Sequence, residues 1–201
     1  MPELTTGWGL LALVAVVAYL VGSVPFGILI TRALGLGDLR AIGSGNIGAT
    51  NVLRTGHRGA ALATLLLDGA KGAIAVLLAR WLVGEDAAQL AGLSAFLGHL
   101  YPVWLSFRGG KGVATFLGIL LALAWPVGLA ACGTWALAAA LTRMSSVAAL
   151  ISAATSSLWL MVFAEGRMLF LIVILTLLIY ARHAANISRI KKGTEPRIGA
   201  K

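Results

Sequence analysis

Three glycines and two cations fall within five residues in the stretch Phe107-Arg108-Gly109-Gly110-Lys111-Gly112-Val113-Ala114-Thr115, which lies between two apolar segments. Glycines let a backbone turn sharply and bring its N–H groups close to a ligand. A lysine among them adds a point charge that suits phosphate. The stretch reads equally as an anion-binding loop at a membrane edge or as a turn whose Arg108 and Lys111 mark the cytoplasmic side. A Walker A loop would need glycine where Leu105 stands and a hydroxyl residue where Gly112 stands, so nucleotide hydrolysis is not supported.

A second polar constellation runs through Gly43-Ser44-Gly45-Asn46-Ile47-Gly48-Ala49-Thr50-Asn51 to Arg54. Small hydroxyls, two amides and a guanidinium among glycines make a nest for a phosphate or a polyol; the alternative is a flexible loop. Asp68 and Lys71 stand three residues apart on one helix face inside an apolar segment. Ionisable groups there are paired or functional, and a structural pair and a catalytic role remain equally open. His99, alone near the end of an apolar segment, reads first as structural. In the tail, His183, Asn186 and Arg189 recur every third residue and would line one face of a helix.

These groups must be held by apolar elements. Of 201 residues, 59% are hydrophobic and 11% charged, and the mean hydropathy is +0.93. Soluble domains are about 45–50% apolar and about 25% charged, so the composition predicts an integral membrane protein. A span takes about 20 apolar residues, which leaves no room for a separate soluble domain. The net charge of +9 is scattered over short loops, which argues against nucleic acid. The single Cys132 sits in an apolar segment without a cationic neighbour and is not a candidate nucleophile. Glu3 and the lack of a basic n-region make the first apolar segment a retained helix.

Seven spans are expected, at about 8–34 (broken at Pro25), 59–83, 87–105, 113–123, 127–141, 147–163 and 168–181. The uncharged stretch 113–141 is too long for one crossing, and Trp125-Pro126 divides it. With seven spans, most loop cations fall on one side and most acids on the other. The positive-inside rule then puts the N-terminus outside and the C-terminus in the cytoplasm. All four polar constellations, 44–54, 109–112, 143–146 and 183–195, fall on the cytoplasmic side. The fold expected is an all-α, seven-span membrane protein in a single domain over 1–201, with its site built by cytoplasmic loops. Such a site suits phosphorylated metabolites, and it lacks any His/Cys cluster with metal-ligand spacing.

The segments Gly43 to Asn51, His99 to Thr115 through Gly109-Gly110-Lys111-Gly112, and His183-Ala184-Ala185-Asn186-Ile187 to Glu195 resemble the three signatures of the bacterial acyl-phosphate:glycerol-3-phosphate acyltransferases, the PlsY family. The resemblance covers nearly the whole chain. It implies transfer of a fatty acyl group from acyl phosphate to the 1-hydroxyl of glycerol 3-phosphate, giving lysophosphatidic acid and phosphate. It further implies no metal or other cofactor, membrane lipids as surroundings, and a place in the bacterial cell membrane. Carried over residue by residue, it implies a binding site of Ser44, Asn46, Thr50, Asn51, Arg54, Gly109, Gly110, Lys111, Gly112, Ser145, Ser146, His183, Asn186 and Glu195. Lys111, His183, Asn186, Ser146 and Arg54 would take the catalytic parts, with the choice between Ser145 and Ser146 left open.

The residue chemistry fits this. An acyl phosphate is a mixed anhydride with an activated carbonyl, so the leaving phosphate needs charge stabilisation more than protonation. Lys111 and the N–H groups of Gly109, Gly110 and Gly112 are expected to supply it. Arg54, with Ser44 and Asn46, is expected to grip the phosphate of glycerol 3-phosphate. The hydroxyl proton goes either to His183 or to a substrate phosphate oxygen, with His183 and Asn186 then only positioning the glycerol. Glu195 either orients His183 or braces the tail. The competing classes are a transporter of an organic phosphate, with Asp68 and Lys71 as a coupling pair, and a non-catalytic lipid-binding subunit.

Overall fold

The computed structural model describes residues 3–199, and the outermost residues of the expected domain, 1, 2, 200 and 201, lie outside it. Among the described residues the regular structure is all helical. The first apolar segment forms α1 (Trp8–Gly22) and α2 (Phe26–Ala33). They part at Ser23-Val24-Pro25, where proline removes a donor and restricts the residue before it. Gly22 belongs to packing, since a Cβ there would lie 2.0 Å from Ala95 O on a later helix.

The polar stretch after α2 holds only short pieces, including α3 (Ala49–Val52). The next span is α4 (Arg58–Leu82), capped by His57, whose Nδ1 accepts from Ala60 N at 3.0 Å. Then comes α5 (Glu85–Leu100), with Glu85 and Asp86 in its first turn, where acids suit the positive end of the helix dipole. It was expected to reach Leu105 but ends at Leu100. Pro102 holds Tyr101 out of helical geometry, and Val103–Leu105 is a separate 3-10 turn.

The long uncharged stretch divides as expected into α6 (Val113–Leu123) and α7 (Trp125–Thr142). The break is at Ala124, which is extended, and Pro126 sits in the first turn of α7, where its missing N–H costs nothing. Two further long helices follow, α8 (Ser145–Val162) and α9 (Leu169–Arg182). The tail then forms α10 (Ala184–Lys191), and the chain bends by 61° between the last two.

Phe96 of α5, Phe116 and Leu120 of α6, and Ile172, Leu175 and Ile179 of α9 are fully buried in one core. Around it, Leu66, Leu77, Trp81, Leu137, Met161 and Leu177 are exposed. A soluble protein would not show such a belt, whereas lipid is the solvent it fits. Four of the helical segments are long and apolar enough to cross a membrane: α1 with α2, α4, α7 and α8. The α9–α10 pair would add a fifth as one bent element, while α6 is an apolar helix of 11 residues.

Candidate active site

The site is built where α5, α9 and the glycine loop meet. Because α5 stops at Leu100, its last carbonyls need donors. Gly109 N donates to Leu100 O at 3.0 Å and Gly110 N to His99 O at 3.1 Å. The loop therefore folds back on the helix it follows. A Cβ on Gly110 would lie 2.1 Å from His99 Nε2, so only glycine fits there. Gly112 takes a left-handed φ of +86° and opens α6 without a side-chain cap. The carbonyls of the same loop are held from α9: Arg182 donates through Nε to Gly110 O at 3.1 Å and through Nη2 to Gly109 O at 3.0 Å. Its guanidinium also stacks over the Tyr101 ring at 5.4 Å.

The amides of Gly109 and Gly110, expected to face a leaving phosphate, donate to α5 here. What the loop presents is Lys111 beside the N-terminus of α6, whose first amides have no partner within the helix and carry the positive end of its dipole.

Lys111 Nζ donates to Asn186 Oδ1 at 2.5 Å, and Asn186 Nδ2 donates to Glu195 Oε1 at 2.6 Å. Glu195 also accepts from Ser146 Oγ at 2.7 Å and from Arg189 Nε at 2.8 Å. Burial pushes the Lys111 pKa down to about 8; the nearby Arg189, Arg54 and Arg182 push the same way and Glu195 opposes them. Four cations thus face one carboxylate. Burial alone would raise the Glu195 pKa, but hydrogen bonds from Ser146, Asn186 and Arg189 outweigh it and hold the carboxyl below its ordinary range. A site with this excess of half-buried positive charge is set up to receive an anion.

His183 is 2% exposed and lies just past α9. Its Nδ1 is 2.8 Å from Ile179 O. A carbonyl oxygen can only accept, so Nδ1 carries the proton and Nε2 is left as an acceptor. Glu195 makes no hydrogen bond to His183 among the described residues; it braces the tail instead.

The first polar loop joins through its rim. Thr50 Oγ1 and Ser145 Oγ are 3.0 Å apart. Asn51, 2% exposed, is a positioning residue: its Nδ2 faces the carbonyls of Leu39, Ile42 and Asn46, and its Oδ1 accepts from Ser44 N and from Arg54 Nη1 at 3.0 Å. Asn51, expected to bind substrate, is thus engaged with its own loop and with Arg54. The side chains of Ser44 and Asn46 make no hydrogen bond to the Lys111 cluster among the described residues. Ser146, not Ser145, is the serine in the Lys111–Asn186–Glu195 network. Arg40 ties the same loop to the glycine loop by donating to Arg108 O.

Residues of all four polar stretches thus meet at one end of the molecule, Ser44 and Asn46 outside the Lys111 network. Reading by residue type does not single out Arg182 and gives little weight to His99, against which the loop is folded. The one signal for Arg182 was its place next to His183. Among the described residues, no group of three or more His, Cys, Asp or Glu is placed to hold a metal ion.

An all-helical membrane fold with a cationic loop cluster at one end defines a class, and comparison with known proteins gives its family. Residues 12–193 match the glycerol-3-phosphate acyltransferase family. The glycerol-3-phosphate acyltransferase of Cereibacter sphaeroides strain ATCC 17025 is 66% identical over 201 residues, which is all of this chain and 96% of that one. The glycerol-3-phosphate acyltransferase of Ruegeria pomeroyi is 61% identical over all of this chain and 99% of its own. The crystal structure of PlsY (YgiH), an integral membrane glycerol 3-phosphate acyltransferase, in its glycerol 3-phosphate form superposes with a TM-score of 0.88 at 38% identity, covering 95% of this chain and 96% of that one. Its lysophosphatidic acid form gives a TM-score of 0.87 at 37% identity, over the same shares. The chain belongs to the glycerol-3-phosphate acyltransferase family.

Proposed function

We propose that this chain transfers a fatty acyl group from acyl phosphate to the 1-hydroxyl of glycerol 3-phosphate, releasing lysophosphatidic acid and inorganic phosphate at a bacterial cell membrane. The observation that carries the reading is Lys111, half-buried beside three arginines and the N-terminus of α6. That is the environment a departing phosphate dianion needs.

The glycerol hydroxyl oxygen attacks the acyl carbonyl carbon, the bond from that carbon to the phosphate oxygen breaks, and phosphate leaves toward Lys111. Electrostatic stabilisation of this kind is worth about 3 kcal/mol per well-placed donor. Arg54, aimed by Asn51, takes the phosphate of glycerol 3-phosphate. Asn186 fixes the Lys111 ammonium, and Ser146 holds Glu195 against Asn186. His183 Nε2 accepts a hydrogen bond from the attacking hydroxyl and orients it, and the proton passes to a phosphate oxygen of the donor. A phosphate with a second pKa of about 6 is a competent acceptor, and among the described residues no carboxylate hydrogen-bonds to His183 to strengthen it as a base. The helix belt exposed to lipid leaves the acyl chain in the bilayer while the loops hold both phosphates.

Protein purified in detergent and given palmitoyl phosphate with glycerol 3-phosphate is expected to yield lysophosphatidic acid and phosphate in equal amounts. Accumulation of a phosphorylated solute in vesicles with no acylated product would replace this reading with a transporter.

A further inference from the structure

Three buried polar side chains lie beneath the glycine loop and take no part in the chemistry above. Asp68 and Lys71 of α4 and His99 of α5 are 3%, 4% and 5% exposed. Lys71 Nζ donates to Asp68 Oδ1 at 2.8 Å and to Val24 O, in the break between α1 and α2, at 2.8 Å. Asp68 Oδ1 is 3.8 Å from His99 Nδ1, which has no hydrogen-bond partner among the described residues. The other edge of the His99 ring faces Gly110, and His99 O accepts Gly110 N. Thr115, in the first turn of α6, donates to Asp68 O at 2.8 Å. The His99 ring therefore meets the loop that carries Lys111 at Gly110, the Asp68 backbone holds the start of α6, and Lys71 reaches the helix break.

A buried ion pair is weak support for stability, because an apolar pair of similar volume packs as well or better. An orphaned imidazole nitrogen beside it adds cost. The presence of all three together points to a use other than holding the fold. We propose that Asp68, Lys71 and His99 are positioning residues for acyl transfer, which set the glycine loop, and through it Lys111, against the α1–α2 break. The inference rests on the acyltransferase reading above. Hydrogen bonds at such sites are often long without substrate and tighten on binding. The 3.8 Å gap between Asp68 and His99 is a contact of that kind, and it closes when the loop settles on the acyl phosphate.

The test replaces the pair together, Asp68→Leu with Lys71→Met. Since no charge is left unpaired, the doubly substituted protein is expected to fold, to unfold at a temperature close to that of the wild type, and to keep its KM for glycerol 3-phosphate within about twofold. Its kcat/KM for acyl phosphate is expected to fall about 100-fold, the loss that a displacement of roughly 1 Å causes. A folded double variant with wild-type constants for both substrates would overturn the proposal. If the double variant does not fold, His99→Asn and His99→Leu decide. An amide can still donate toward Asp68, so His99→Asn is expected to keep at least tenfold more kcat than His99→Leu, or roughly 1.4 kcal/mol of barrier; equal kcat in the two overturns the proposal. A wild type that transfers no acyl group would instead refute the function itself.

Discussion

Burial, with three arginines beside it, holds the Lys111 pKa down to about 8. Its depressed pKa has a definite sign in activity. Below about pH 8 the ammonium is charged and can hold the leaving phosphate; above it the charge is lost. The kcat/KM for acyl phosphate, which reports the free enzyme, is therefore expected to fall as pH rises through about 8. A bound anion favours the charged form, so the limb in kcat should lie higher. Glu195 is the one group raising the Lys111 pKa, so Glu195→Gln should move the residual kcat/KM limb toward lower pH, and a limb that stays put would contradict the pairing. At His183 the two proton routes separate through glutamine, which can accept a hydrogen bond but not carry a proton. Substrate-assisted transfer predicts that His183→Gln keeps activity lost in His183→Ala, and equal loss in both would assign the proton to His183. Lys111, Asn186 and Glu195 were legible in the sequence because their chemistry is in their side chains. The engagement of the Gly109 and Gly110 amides was not, because a backbone donor's partner depends on where a neighbouring helix stops.

Helix ends do most of the positioning. Pro25, Ala124 and Tyr101-Pro102 stop or break helices, and each of these stops places something: the carbonyl that Lys71 meets, the α6–α7 turn, and the bare end of α5 that the glycine loop caps. The first two were readable, since proline within an apolar run has a direct steric meaning. The third was read too long, because the apolar run through Leu105 hid the stop at Tyr101. Gly110 shows how strict the placement is. Gly110→Ala would put a methyl group 2.1 Å from His99 Nε2, so the loop must lift off α5. Activity is expected to fall about 100-fold while the helix content stays constant by circular dichroism. Full activity in that variant would mean that the loop's contact with His99 is unimportant.

Across the whole molecule, four polar stretches, with contacts between residues up to 95 apart in the chain, meet at one end of a lipid-facing bundle (Thr50 to Ser145, Ser146 to Glu195, Asn186 to Lys111, Arg182 to Gly109 and Gly110). Charge bias across the loops was enough to anticipate that convergence, because the positive-inside rule acts on segments, not on side-chain geometry. Which atoms would touch could not be read that way. Asn51 and Arg182 hold the two loops through contacts that only the packing of α3, α5 and α9 creates. The central claim is that this cluster stabilises a phosphate as it leaves an acyl group. It is tested most directly by phosphate release from palmitoyl phosphate, with and without glycerol 3-phosphate, in the wild type and in Lys111→Ala. Release is expected to require both substrates and to drop roughly 100- to 1,000-fold in the variant. Release that proceeds without glycerol 3-phosphate, or survives the loss of Lys111, would contradict the account.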